Sequence, residues 1–169
     1  KNKDYRLGFC RYLGEKESRE YQYVAANYLK AMQSYLKDSD LPKLEQLVVT
    51  KSWWDTVDIL DRVVGSLVYE KQELEKIILQ WSLSDNIWLR RVAIDHQLLR
   101  KEKTNVQLLE KILFHNLNQT EFFINKAIGW ALRDYSKTNP AWVACFIEKN
   151  KERMAELSIK EASKYLSHH

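Results

Sequence analysis

Apolar positions in this chain recur three and four residues apart over most of its length, the spacing that lays a single stripe along an α-helix. Read window by window, the pattern predicts helices over roughly 18–37, 41–50, 53–68, 71–82, 86–101, 105–116, 120–135, 140–150 and 153–166. Several boundaries carry their own chemistry. Asp40 can cap a helix whose first turn holds Pro42, and Ser52 can cap the helix that opens at Trp53. Gly65-Ser66 is expected to weaken the end of that helix. Asn139-Pro140 separates the last two repeats, because Pro opens helices more readily than it continues them.

A longer period overlies the helical one. Trp54, Trp88 and Phe122 recur at a constant step of 34 residues, as do Ala25, Ile59, Ala93 and Ala127, and Ala26, Leu60, Ile94 and Ile128. Between these segments Leu74–Leu79 and Leu109–Phe114 echo one another at a step of 35. Each period therefore holds two different helices, and such pairs bury a common core only by stacking. The expected fold is all-α, a HEAT-like solenoid with a concave groove, formed by one domain over 1–169. Tetratricopeptide repeats share the period, but their Trp, Leu-Gly and Pro pattern is absent.

Composition narrows the field. Four Gly and two Pro are too few for a turn-rich β architecture. Six Trp, nine Tyr and five Phe give ample surface to bury, which excludes a disordered chain. No apolar run is long enough to cross a bilayer and no signal peptide is evident, so a cytoplasmic protein without a membrane role is expected. Cys10 and Cys145 form no close-spaced motif and read as reduced thiols. The net charge of +4 permits an anionic partner without requiring one. The chain opens Lys1-Asn2-Lys3 without an initiator Met, and an N-terminal part preceding it is expected; His168-His169 is given no role.

Three segments could carry chemistry, and each has a plainer reading. Trp54, Asp58 and Asp61 fall on one helical face at i, i+4 and i+7. The alternative has Trp53 and Trp54 anchoring the core, with Asp55 and Asp58 favoured by a helix N-terminus. Arg90 and Arg91 lie about 100° apart on a helix, so at most one need face a groove; both can equally be solvated. Lys126, Trp130, Arg133 and Lys137 form a stripe of cations around an aromatic, either a nucleic-acid surface or a solvated basic face with one core Trp. Within that helix Gly129 is expected to admit a neighbouring helix closely. His96 and His115 lack metal-ligand spacing, and there is no phosphate loop or nucleophile elbow.

Taken in order, Arg19–Tyr23, Trp53–Asp58, Trp88–Ile94 and Phe123–Arg133 with Ser136, Lys137 and Pro140 resemble the AlkD-like DNA alkylation repair family. The resemblance covers most of the chain. It implies a monofunctional, bacterial-type DNA glycosylase of base excision repair. Such an enzyme removes cationic N3- and N7-alkylated purines from duplex DNA without flipping the base, as a monomer and with no metal or cofactor. Carried over residue by residue, it implies Asp58 as the catalytic carboxylate and Trp54 and Trp130 as aromatics on the lesion's deoxyribose. Arg91, with Arg90 beside it, and Lys126, Arg133 and Lys137 become DNA-binding candidates. It also implies further helices before the segment that starts here. The alternatives are a silent DNA-binding member, or a protein-interaction scaffold with an apolar or acidic groove.

Overall fold

Helices follow one another through the chain in the order that the periodicity predicts, and no strand occurs among the described residues. A computed structural model describes residues 8–10, 12–13 and 16–166; His168 and His169 lie outside them, as does Lys1-Asn2-Lys3. Following helical residues at 8–10 and 12–13, the helices are α1 (Arg19–Ala31), α2 (Leu41–Val49), α3 (Trp54–Glu70), α4 (Glu75–Trp81) and α5 (Ile87–Asp95). Then come α6 (Val106–His115), α7 (Phe122–Ser136), α8 (Pro140–Asn150) and α9 (Glu156–Ala162).

They pack in two layers. In one, α1, α3, α5, α7 and α9 each contact the next. Behind it, α2 packs on α3 and α5, α4 and α6 pack on α5, and α8 packs on α7. The repeating small and branched residues lie at these crossings: Ala25, Ala26, Leu60, Ala93, Ile94, Ala127 and Ile128 are buried, and Ile59 is half-buried. Trp54, Trp88 and Phe122 all fall within the first two residues of α3, α5 and α7, so the 34-residue step does mark equivalent positions. No helix among the described residues is long and apolar enough to cross a membrane.

Several boundaries differ from the sequence reading, each for a local reason. Ser52 does not cap α3. Its hydroxyl donates to the Val48 carbonyl and so closes α2. Asp40 accepts from the Lys37 amide at 2.9 Å rather than from α2, although Pro42 does occupy the first turn. The first helix ends at Ala31, not 37, and gives way to short 3₁₀ turns over Gln33–Tyr35 and Asp38–Asp40. Helix α5 ends at Asp95 rather than 101, because Leu99 and Lys101 adopt left-handed φ values of 69° and 53°. Gly65-Ser66 does not end α3, which runs on to Glu70. A Cβ at Gly65 would stand 2.1 Å from the His96 carbonyl oxygen, so this glycine is a crossing point. Asn139 caps α8 as its position before Pro140 implies, accepting from the Trp142 amide at 3.0 Å.

Candidate active site

Three consecutive helices of the first layer converge on one place. From α3, residues one turn apart descend from solvent into the protein: Trp54 is 45% exposed, the Asp58 side chain 22%, and Asp61 2%. From α5, Arg91 reaches the same point fully buried. Its guanidinium binds Asp58 in a two-point fork, Nε to Oδ1 at 2.8 Å and Nη2 to Oδ2 at 3.0 Å, while Nη1 donates to the Phe123 carbonyl at 2.8 Å. From α7, Trp130 lies against this guanidinium, its ring centroid 5.2 Å from the Arg91 Cζ. Lys126 and Arg133 approach the same ring at 5.8 and 5.9 Å.

Trp54, Arg91, Phe122, Phe123, Lys126 and Trp130 line a cavity of about 200 Å³. A second cavity of about 280 Å³ shares Trp130 and adds Arg62, Leu98, Leu99, Arg133, Asp134 and Lys137. The structure thus gathers Trp54, Asp58, Arg91, Lys126, Trp130 and Arg133 around one open surface, with Lys137 in the adjoining cavity. Arg90 is not brought to it: its Nε donates to Asn116 at 2.8 Å, and burial draws its pKa down. Arg91 itself is no freely extended surface cation, since three of its five N–H groups are already committed to protein acceptors. Trp53 and Trp54, each 45% exposed, do not anchor the core. Trp53 instead joins Trp88 and Phe123 in an aromatic cluster with centroids 5.0–6.0 Å apart.

Beneath the surface lies an acidic group. Asp58, Asp61 and Asp95 each bring one oxygen within 4.8 Å of the others. Arg91 serves two of the three, with Nε 3.8 Å from Asp95 beside its fork to Asp58, and Arg62 stands 3.4 Å from Asp61. Burial, then the nearby Asp95 charge, drives the Asp61 pKa well up; burial lifts Asp95 to about 7. Burial works against the Arg91 charge, but the Asp58 hydrogen bonds and the Asp95 charge outweigh it and hold the guanidinium above its usual range. Two guanidiniums thus face three carboxylates, and the Asp61 Oδ1 and both Asp95 oxygens find no hydrogen-bond partner among the described residues.

Two sequence motifs also meet here. Arg19 and Tyr23 of α1 both bind the Asp55 carboxylate at the start of α3, so the Arg19–Tyr23 segment docks onto the Trp53–Asp58 segment. One participant had no sequence signal of its own. Glu161 of α9 accepts from Lys126 at 2.8 Å, Arg133 at 2.7 Å and Lys164 at 2.8 Å. Gly129 makes room for it, as a Cβ there would stand 2.6 Å from the Glu161 Cβ and 3.2 Å from the Ser158 oxygen.

The family model described as DNA alkylation repair enzyme matches residues 1–166. This chain belongs to that family. Its members' role in DNA repair is therefore its own broad role. A solved structure of a predicted DNA alkylation repair enzyme from Enterococcus faecalis is 36% identical to it with a TM-score of 0.92, over 100% of this chain and 79% of that one. AlkD2 from Streptococcus mutans superposes with a TM-score of 0.77 at 18% identity, covering 98% of this chain and 83% of its own. The structure of smu.31 from Streptococcus mutans UA159 has the same TM-score and identity, over 98% and 86%. At that identity these two support the helical-repeat fold alone. No curated protein matches the chain.

Proposed function

We propose that this family member is a monofunctional glycosylase that hydrolyses the N-glycosidic bond of cationic N3- or N7-alkylated purines in duplex DNA. The observation that carries the reading is the convergence of Trp54, Trp130 and Arg91 on one open cavity of about 200 Å³, with Asp58 held by the Arg91 fork beside it. An alkylated purine is already positively charged, so it leaves without strong acid catalysis. Cleavage leaves positive charge on the deoxyribose, and a carboxylate fixed in place stabilises it without reorganising. Arg91 fixes Asp58 in this way. The fork uses two of the carboxylate's roughly four acceptor positions, which leaves others for a water aimed at the sugar. Trp54 and Trp130 supply flat faces for the deoxyribose, and their π-faces favour cationic character beside them. Lys126, Arg133 and Lys137 attract phosphates. A surface cavity bounded by the exposed rings of Trp54 and Phe122 supports contact with a nucleotide still stacked in the duplex rather than an extruded base. The reading calls for no cofactor, takes the chain as a monomer, and places it with the chromosome in the cytoplasm.

The deciding measurement is single-turnover release of 7-methylguanine from methylated duplex by wild-type protein and Asp58→Asn, with melting temperatures alongside. Loss of one preorganised charge should slow release roughly 10²–10³-fold while duplex affinity holds. Near-wild-type release by a well-folded Asp58→Asn protein removes Asp58 from the mechanism. One observation favours a second reading, a DNA-binding member without excision: both Asp58 oxygens already accept from Arg91. That reading expects duplex binding by wild-type protein with no purine released.

A further inference from the structure

Cations gather around Trp130 in a way that poses an electrostatic problem. Arg91, Lys126 and Arg133 all stand within 6 Å of its ring centroid. They suit phosphate, but a positively charged purine beside the same ring is repelled by all three. Arg91 is offset by Asp58. The other two are offset by a single carboxylate on the next helix of the layer, Glu161, whose side chain is only 8% exposed. It takes one N–H from Lys126 and one from Arg133. That leaves two donors on the lysine and four on the arginine for an outside anion. The Lys126 and Lys164 ammonium groups hold the Glu161 carboxyl down at about 2, so the charge is present throughout the working pH range. Gly129 sits at the closest approach of α7 and α9, where any side chain would push Glu161 away.

We infer that Glu161 is a positioning residue. It holds Lys126 and Arg133 on either side of Trp130 as one preset phosphate subsite and lowers the positive field that a cationic base meets there. The inference rests on the proposed glycosylase reading for the base, and on duplex binding alone for the phosphate.

Glu161→Gln keeps the shape and removes the charge. It should bind undamaged duplex at least about twofold more tightly at low salt, with a steeper salt dependence, because net positive charge in the groove rises. Single-turnover release of 7-methylguanine at saturating enzyme should nonetheless slow by about tenfold or more, as misplaced groups cost rate without costing affinity. A purely structural glutamate moves both quantities down together with the folded fraction. Glu161→Asp separates geometry from charge: one carbon shorter, it should slow release while leaving affinity unchanged. Lys151→Ala removes an exposed cation paired with Glu148, outside the group around Trp130, and should change neither. The proposal is overturned if Glu161→Gln leaves affinity and release at wild-type values, if both fall in step with melting temperature, or if Lys151→Ala reproduces its effects. Should wild-type protein release no purine, the glycosylase reading fails. The salt dependence of Glu161→Gln on undamaged duplex still decides the placement of the two cations.

Discussion

Arg91 shows how much one side chain can organise. A guanidinium carries five donors in a rigid plane, and three of them here fix a carboxylate on α3 and a carbonyl on α7 from a seat on α5. Because it is buried, its loss strands charge: Asp95 and Asp61 would lose a nearby cation that bulk water cannot replace. Arg91→Ala should therefore lower unfolding free energy in urea by about 3–5 kcal/mol, and Arg91→Lys should recover little of it, since an ammonium cannot make the two-point fork. A loss below about 1 kcal/mol would mean that Asp58 and Asp95 find other partners and that Arg91 is dispensable to the fold. The adjacent Arg90 tests the same geometry in reverse. Its roughly 100° offset carries it to Asn116, so Arg90→Ala should leave the salt dependence of duplex binding unchanged.

At the scale of elements, the order and pairing of helices were legible because apolar spacing and the 34-residue step are strong local signals. Trp54, Asp58, Arg91 and Trp130 were legible through the family's motifs. Helix ends were less so. Leu99 and Lys101 in left-handed conformations bar α5 from reaching 101, where a glycine would have announced the break and a leucine does not. Glu161 and Asp95 were missed because a charge shows its role only with its partner, and here the partners sit on the neighbouring helix of the layer. A signal did exist. Arg19 with Asp55, Asp58 with Arg91, Arg100 with the Gly65 carbonyl, the Leu99 amide with Asp134, and Lys126 with Glu161 are separated by 36, 33, 35, 35 and 35 residues. Complementary polar residues about one repeat apart thus mark helix-to-helix bonds as clearly as the recurring alanines mark packing. The two crossing glycines should respond unequally to a methyl group. Gly65→Ala meets the backbone oxygen of His96 at 2.1 Å and cannot be relieved without parting α3 from the end of α5. Gly129→Ala meets the Glu161 Cβ at 2.6 Å and the Ser158 carbonyl oxygen at 3.2 Å, so α9 must also give way, but over a smaller overlap. Thermal melting should show a loss of several degrees or failure to fold for the first, and a smaller shift for the second. Equal, small shifts would mean that the layer spacing is softer than this packing implies.

For the whole molecule, pH dependence should come from two adjacent residues at the end of α5 that pull in opposite directions, with Asp61 of α3 on the side of Asp95. Burial raises the Asp95 carboxyl to about 7, so the folded protein holds a proton there that the unfolded chain releases near 4. Over that interval Asp95 makes stability fall as pH rises. Burial lowers His96 to about 3, and its Nε2 finds no partner among the described residues. The unfolded chain takes up a proton near 6.5 that the folded protein refuses, so His96 makes stability rise with pH over nearly the same interval. Asp61, which burial also lifts, adds to the falling side. Removing one residue tilts the balance toward the others. Relative to wild type, Asp95→Asn should turn the slope of stability against pH upward across this range, whereas His96→Gln should turn it downward. Chemical denaturation of the three proteins at four or five pH values measures the slopes directly. Parallel profiles would show that neither group keeps its buried ionisation behaviour. A profile altered only in Asp95→Asn would place the titration in the Asp61–Asp95 pair alone. Since Arg91 lies between that pair and Asp58, the same series followed by base release tests whether a proton in the interior reaches the surface where excision is proposed.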